Sequence, residues 1–270
     1  MERLPHTLRT IQAAGAVRLA ALMTGERAPE MRPVTAMGIE FPNPLGLAAG
    51  FDRTGHLVPR LTTLGFGHVE VGTVTPRGPG TLARRSAVSG ARMGINIGSP
   101  RHGLDSRVIE DCAAALSRVW ERADYVVANL SSPFLERNAD TAGVDALIHR
   151  LSEERNSRFA ETGRHVALLV KVEGGRRGAP LPAAIASARS HGLDGIVLVS
   201  SCIRRIAAVC EYLEGAAVIS VGGVATAEDV KARIAAGAAL VQIYAAFVRG
   251  GPMSARCILA GLEAADRSGQ

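Results

Sequence analysis

Apolar residues gather along the chain into short runs bounded by turn formers, over residues 44–51, 68–75, 94–98, 125–132, 165–172, 195–201, 217–224 and 240–247. Runs this short, with few interleaved polar positions, predict strands covered on both faces, as in a parallel sheet. Between most of them the apolar spacing shifts to a helical period, over 104–122, 144–161, 182–191, 226–236 and 254–267. Eight strands alternating with helices predict an α/β chain folded as a right-handed (β/α)8 TIM barrel. Thr226-Ala227-Glu228-Asp229 has the form of a capping box, with acids in the first turn to complement the helix dipole. Gly65-Phe66-Gly67 and His191-Gly192-Leu193-Asp194-Gly195 punctuate returns from helix to strand.

Upstream, Leu8, Ile11, Val17, Leu19 and Leu22, set among alanines with Arg9 and Arg18, predict a weakly amphipathic helix over 8–23. It is expected to cap the domain rather than anchor it to a membrane surface. The organisation is then a short helical cap over 1–33 and one barrel domain over 34–270.

A chain of 270 residues is long enough for such a barrel, and its 4% of aromatic residues with plentiful Ala and Gly suits close packing of helices on a parallel sheet. The net charge of +6 is carried almost wholly by arginine, since Lys171 and Lys231 are the only lysines. Such a balance favours anionic ligands. The four cysteines and seven histidines show no metal-ligand spacing, so no metal is expected and the thiols read as reduced. Neither a spanning run nor an export signal is present, which predicts a cytoplasmic protein, with peripheral membrane association through the cap as the alternative. No nucleic acid partner is expected.

Barrel enzymes place their chemistry at the carboxyl ends of the strands. Asn129-Leu130-Ser131-Ser132-Pro133-Phe134 closes the fourth run with an amide and two hydroxyls, and Pro133 biases Ser132 to an extended bend. Lys171 ends the fifth run in a chain that otherwise uses arginine, as if a compact point charge were needed against something anionic. Asn96 and Asn129 suit a heterocycle with donor and acceptor edges. Gly222-Gly223 and Tyr244-Ala245 end the last two runs, where exposed backbone N–H groups hold a phosphate. Each has an ordinary counterpart: a lysine snorkelling from a strand end, satisfied core amides, a tight turn.

In order along the chain, these residues resemble the dihydroorotate dehydrogenases, most of all the quinone-using class. The resemblance is carried by Asn43-Pro44-Leu45-Gly46-Leu47-Ala48-Ala49-Gly50-Phe51-Asp52, Val71-Gly72-Thr73-Val74-Thr75-Pro76-Arg77 and Arg92-Met93-Gly94-Ile95-Asn96. It continues through Asn129-Leu130-Ser131-Ser132-Pro133, Val170-Lys171, Val221-Gly222-Gly223 and Leu240-Val241-Gln242-Ile243-Tyr244. It implies an FMN-dependent oxidoreductase acting on a C–C single or double bond of a pyrimidine-like substrate. Ala49, Gly50 and Thr73 would touch the flavin, Asn96 and Asn129 bond its rings, and Lys171 lie by their polar edge. Gly222, Gly223, Tyr244 and Ala245 would hold the phosphate, and Ser132 would transfer the proton, with Arg53 orienting the substrate.

The substrate pocket departs from the family. Arg53 stands where the family has lysine, Phe134 where it has asparagine after Ser-Ser-Pro, and Val199-Ser200-Ser201 where it has Thr-Asn-Thr. With Met93 and Gly94, these make Arg53, Phe134, Ser200 and Ser201 the candidate substrate contacts. Loss of amides from a site built to hydrogen-bond a flat polar acid predicts a changed, anionic substrate. The stretch 201–217 is too short for the family's phosphate loop and hairpin, so half of that cradle is expected to be missing. Arginines follow almost every strand, at Arg53, Arg77, Arg84-Arg85, Arg101, Arg137, Arg176-Arg177, Arg204-Arg205 and Arg249, and either line a positive face for a larger anion or are solvated surface charge.

Two other functions compete: a flavin-free, phosphate-binding lyase or isomerase using Lys171 and Ser132, and a silent relative binding a partner through the arginines. The electron acceptor is a quinone or a soluble molecule, since only one helix of the family's membrane cap, with His6 before it, is recognisable. A homodimer is compatible with such a barrel.

Overall fold

The computed structural model describes residues 15, 31–78, 82–83, 90–101, 103–131, 140–175 and 178–268. The cap expected over 1–33, with His6, lies outside them but for Gly15 and residues 31–33. In chain order the strands are β1 (Val34–Ala36), β2 (Ile39–Phe41), β3 (Leu45–Leu47), β4 (His68–Val74), β5 (Arg92–Ile97), β6 (Tyr125–Asn129), β7 (Ala167–Glu173), β8 (Gly195–Val199), β9 (Ala217–Val221) and β10 (Leu240–Ile243). The helices are α1 (Val58–Thr63), α2 (Ser106–Val119), α3 (Thr141–Thr162), α4 (Ala183–Ser190), α5 (Ile203–Leu213), α6 (Ala227–Ala235), α7 (Ala245–Gly250) and α8 (Ser254–Ser268).

Strands β3 to β10 are all parallel and close a barrel in which β10 pairs with β3. Each of the eight expected runs holds one of these strands, so the TIM barrel is the fold. The runs at 44–51 and 240–247 yield shorter strands than their length suggests. The chain leaves the sheet at Ala48, whose N–H donates to the Ile243 carbonyl at 3.1 Å, and after Tyr244 it turns into α7.

Alternation along each strand splits the buried residues into two cores. Leu45, Leu47, Val69, Val71, Val126, Leu168 and Val170 face outward and pack under the helices. Ala48, Val127, Leu169, Val197, Ile219 and Leu240 fill the barrel itself. Helix starts follow local chemistry: Asp105 and Asp140 cap α2 and α3 by accepting from the N–H groups of Val108 and Gly143, at 2.9 and 2.7 Å. The capping box at Thr226 and Asp229 forms as its sequence predicts.

The hairpin β1–β2, turning at Met37–Gly38 with positive φ at both residues, is not expected from the sequence, because three-residue strands leave almost no pattern. It plugs the amino-terminal end of the barrel. Phe41 packs edge-on against His68 and Tyr125, with ring centroids 5.6 and 6.2 Å away. Burial lowers the His68 pKa to about 3, and neither ring nitrogen has a partner among the described residues.

Candidate active site

At the opposite end, a cleft of about 610 Å³ is lined by Ala49, Gly50, Arg53, Thr54, Gly72, Thr73, Asn96, Asn129 and Lys171. It joins the ends of β3 to β7, so residues as far apart in the chain as Ala49 and Lys171 meet in one place; Asn129 lies directly opposite Lys171 in the β6–β7 ladder.

Strand geometry explains how the polar groups reach the cleft. Val71 and Val74 both pack in the outer core, three residues apart, and the β4–β5 register shifts between Gly72 and Val74. The extra residue of this bulge turns both Gly72 and Thr73 toward the mouth. The Thr73 hydroxyl donates to Asn96 Oδ1 at 3.0 Å. Asn96 Nδ2 donates to Glu70 Oε1 at 2.9 Å, and Gln242 Nε2 donates to Glu70 Oε2, also at 2.9 Å. Glu70, Asn96 and Gln242 are each wholly buried. A carboxyl in the middle of the barrel thus fixes which way the Asn96 amide points. Glu70 and Gln242 were not singled out from the sequence. The signal available was that Glu70 shares a strand face with His68 and Gly72.

Asn129 Oδ1 accepts from the N–H and hydroxyl of Ser131, at 3.2 and 2.9 Å, which leaves its Nδ2 as the donor it can offer a ligand. Arg53 stands exposed on the loop after β3, and the loop is built on its neighbour. The buried Asp52 carboxylate accepts from the N–H groups of Thr54, Gly55 and Leu57, at 3.1, 2.9 and 2.8 Å. Neither Arg53 nor Lys171 forms an ion pair with a described residue. Two unpaired cations, two carboxamides and a hydroxyl therefore converge on one cleft, a donor set suited to a polar, anionic or carbonyl-rich ligand.

Beyond the cleft the mouth continues over β8 to β10. Gly222 and Gly223, with φ of +107° and +70°, follow β9. A Cβ at Gly223 would lie 3.1 Å from Ser201 Cβ, and one at Gly222 would lie 3.5 Å from the Ser200 nitrogen. Tyr244, which precedes α7, links this end to the cleft through its hydroxyl, 3.5 Å from the Gly50 carbonyl oxygen. Ser200 and Ser201 are therefore neighbours of the glycines and do not line the cleft, and Ala245 begins α7 beside them. The helix α5 starts at Ile203, just after Ser200-Ser201, and leads to β9.

Met93 and Gly94 are not brought to the mouth, which corrects their assignment as substrate contacts. They begin β5, at the amino-terminal end of the barrel. Met93 is buried in the outer core, its N–H donating to Asp124 at 2.8 Å, and a Cβ at Gly94 would fall 2.2 Å from the Tyr125 ring. Gly94 is glycine to admit that tyrosine, not a ligand. Ser132, Phe134, Arg84, Arg85, Arg137, Arg176 and Arg177 lie outside the described residues. Of the remaining arginines, Arg101 pairs with Asp111 at 3.0 Å. Arg205 is buried and donates to the carbonyls of Gly174, Ala179 and Pro180, at 2.5, 2.7 and 2.7 Å. Those two are taken, leaving Arg53, Arg77, Arg204 and Arg249 exposed.

The family model for dihydroorotate dehydrogenase matches residues 31–81 and 181–265. A protein of Thermobifida fusca named dihydroorotate dehydrogenase (quinone) is 33% identical over 327 residues, covering 96% of this chain and 86% of that protein. The chain belongs to the dihydroorotate dehydrogenase family. A second relative of the same name, from Thiobacillus denitrificans, is 31% identical over 307 residues, covering 91% of this chain and 89% of its own. Crystal structures of DHODH from Eimeria tenella, one ligand-free and one in complex with ferulenol, have the same fold, each with a TM-score of 0.76 over 96% of this chain at 23% and 22% identity. Dihydroorotate dehydrogenases are flavin-dependent oxidoreductases, and this family barrel is such an enzyme. No helix among the described residues is long and apolar enough to cross a membrane.

Proposed function

We propose that the protein is an FMN-dependent oxidoreductase that acts on a C–C single or double bond of an anionic substrate other than dihydroorotate. The observation that carries this reading is the convergence of Thr73, Asn96, Asn129 and Lys171, from four consecutive strands, on one cleft that Ala49, Gly50 and Gly72 also line, with Arg53 and Thr54 at its side. Flat backbone beside two amides, a hydroxyl and an unpaired ammonium fits the ring system of a flavin, which needs a smooth face and polar edges. Ala49 and Gly50 would pack on the rings, Thr73, Asn96 and Asn129 would meet the edge heteroatoms, and Lys171 would stand where negative charge gathers. Gly222, Gly223, Tyr244 and Ala245 would hold the phosphate. Bound there, FMN supplies the acceptor or donor of hydride.

The chain's own groups do the rest. Arg53, fixed by the Asp52 loop, orients a carboxylate or carbonyl of the substrate through its guanidinium fork. Ser132 follows directly on the Asn129–Ser131 hydrogen bonds and takes the proton from the substrate carbon adjacent to the one oxidised. The altered substrate is favoured by Arg53 and Phe134, which stand where the family has a lysine and an asparagine. A quinone or a soluble molecule accepts the electrons.

Reduced, FMN-loaded protein offered orotate and a panel of larger anionic enoates and unsaturated amides tests this reading. Reoxidation by a larger anion about a hundredfold faster than by orotate is expected, and Ser132→Ala should slow it by about a hundredfold or more. Preference for orotate contradicts the altered substrate, and reoxidation by no member of the panel contradicts the reaction.

A further inference from the structure

Arg233, on α6, is 3% exposed and has no carboxylate within ion-pair distance among the described residues. The nearest acid, Asp229, spends its carboxylate on the N–H groups of Ala225 and Thr226, at 2.9 and 3.0 Å. The guanidinium donates instead to the Gly222 carbonyl through Nη2, makes a long contact of 3.4 Å with the Asp229 carbonyl through Nη1, and leaves Nε buried with no partner among the described residues. Arg205 is the instructive contrast. Its buried fork is spent on three loop carbonyls, as a clamp on the segment after β7. Arg233 is an under-satisfied buried cation placed directly behind the glycines of the mouth, its Nη2 3.8 Å from where a Gly223 Cβ would be.

The geometry has a consequence for the ligand. In a trans peptide the C=O and the following N–H point in opposite directions. Arg233 draws the Gly222 carbonyl toward α6, so the Gly223 N–H is turned away from the helix and into the mouth. Burial without a counter-ion is a standing cost that an anion at the mouth relieves. Desolvation lowers the Arg233 pKa, and the Asp229 charge offsets only part of that.

We propose that Arg233 is a positioning residue for the phosphate of the bound ligand: it aims the Gly223 N–H and supplies, from behind the backbone, the positive charge of a cradle that has lost the family's longer loop. This rests on the flavin reading of the mouth. Affinities of the flavin-stripped protein for FMN and for riboflavin, which lacks the phosphate, test it by quenching of flavin fluorescence. Arg233→Gln keeps a donor for Gly222 and loses the charge; it should weaken FMN about tenfold or more and leave riboflavin nearly unchanged. Arg233→Lys should retain the wild-type ratio of the two affinities. An unchanged ratio in Arg233→Gln, or equal weakening of both flavins, overturns the role of Arg233 while leaving the flavin reading intact. Should Arg233→Gln not fold, Arg233→Lys decides: a collapsed ratio overturns the charge, and a retained one supports it. A wild-type protein that takes up neither flavin overturns the flavin reading and this role with it.

Discussion

Glu70 accepts one amide on each of its oxygens, and its side chain is the reason Asn96 presents a defined face to the cleft. Glu70→Gln puts an NH2 group against either the Asn96 or the Gln242 amide, so one donor must face another or rotate away. The variant should lose about 1–3 kcal/mol of stability in urea denaturation, and flavin absorbance in the loaded protein should shift as Asn96 turns. Unchanged stability and spectrum would mean that Glu70 does not orient Asn96. At this scale Asn129, Lys171 and Asn96 stand out in the sequence because each is a polar residue at or near the end of an apolar run. Glu70 and Gln242 lie inside such runs, and only closure of the barrel shows that their face is interior. Asp52 was legible as part of a motif but not as the carboxylate that holds the Arg53 loop. Met93 and Gly94 were misassigned because a fused motif drew them toward the mouth, while strand direction carries them to the floor.

The eight barrel strands and the longer helices were legible because their periodicity extends over many residues. The hairpin β1–β2 and the helices α1 and α7 were not, each having too few residues to set a period. The floor that the hairpin closes makes its own prediction. His68 is neutral in the fold, with its pKa lowered from 6.5 to about 3 by burial, while the unfolded chain binds the proton near 6.5. The unfolded state therefore binds more protons below pH 6.5, and stability falls as pH drops from there toward 3. Between pH 7.5 and 5.0 this one group should cost roughly 2 kcal/mol. His68→Leu should lose about that much less than the wild type over the same interval, measured by urea denaturation at both pH values. Equal losses would show that the ring is protonated or paired in the fold.

Across the whole molecule, the barrel concentrates its unusual chemistry at two levels of one interior: a neutral aromatic floor and a polar mouth, joined by the Glu70 layer. Family membership fixes the reaction class, while the proposed change of substrate rests on the substitutions at the rim. Order along the sequence sufficed for the first, because the motifs fall in turn on seven of the eight barrel strands. The second was harder to read, since Ser200 and Ser201 look like substrate contacts in sequence and lie against Gly222 and Gly223 in space. The most direct test of the whole account is the flavin content of the purified protein after incubation with FMN and desalting, read from visible absorbance and mass spectrometry of the released ligand. FMN retained in stoichiometric amount by the wild type, and lost on desalting from Lys171→Met and Asn129→Leu proteins, is the predicted result. A colourless protein that retains no FMN would contradict it.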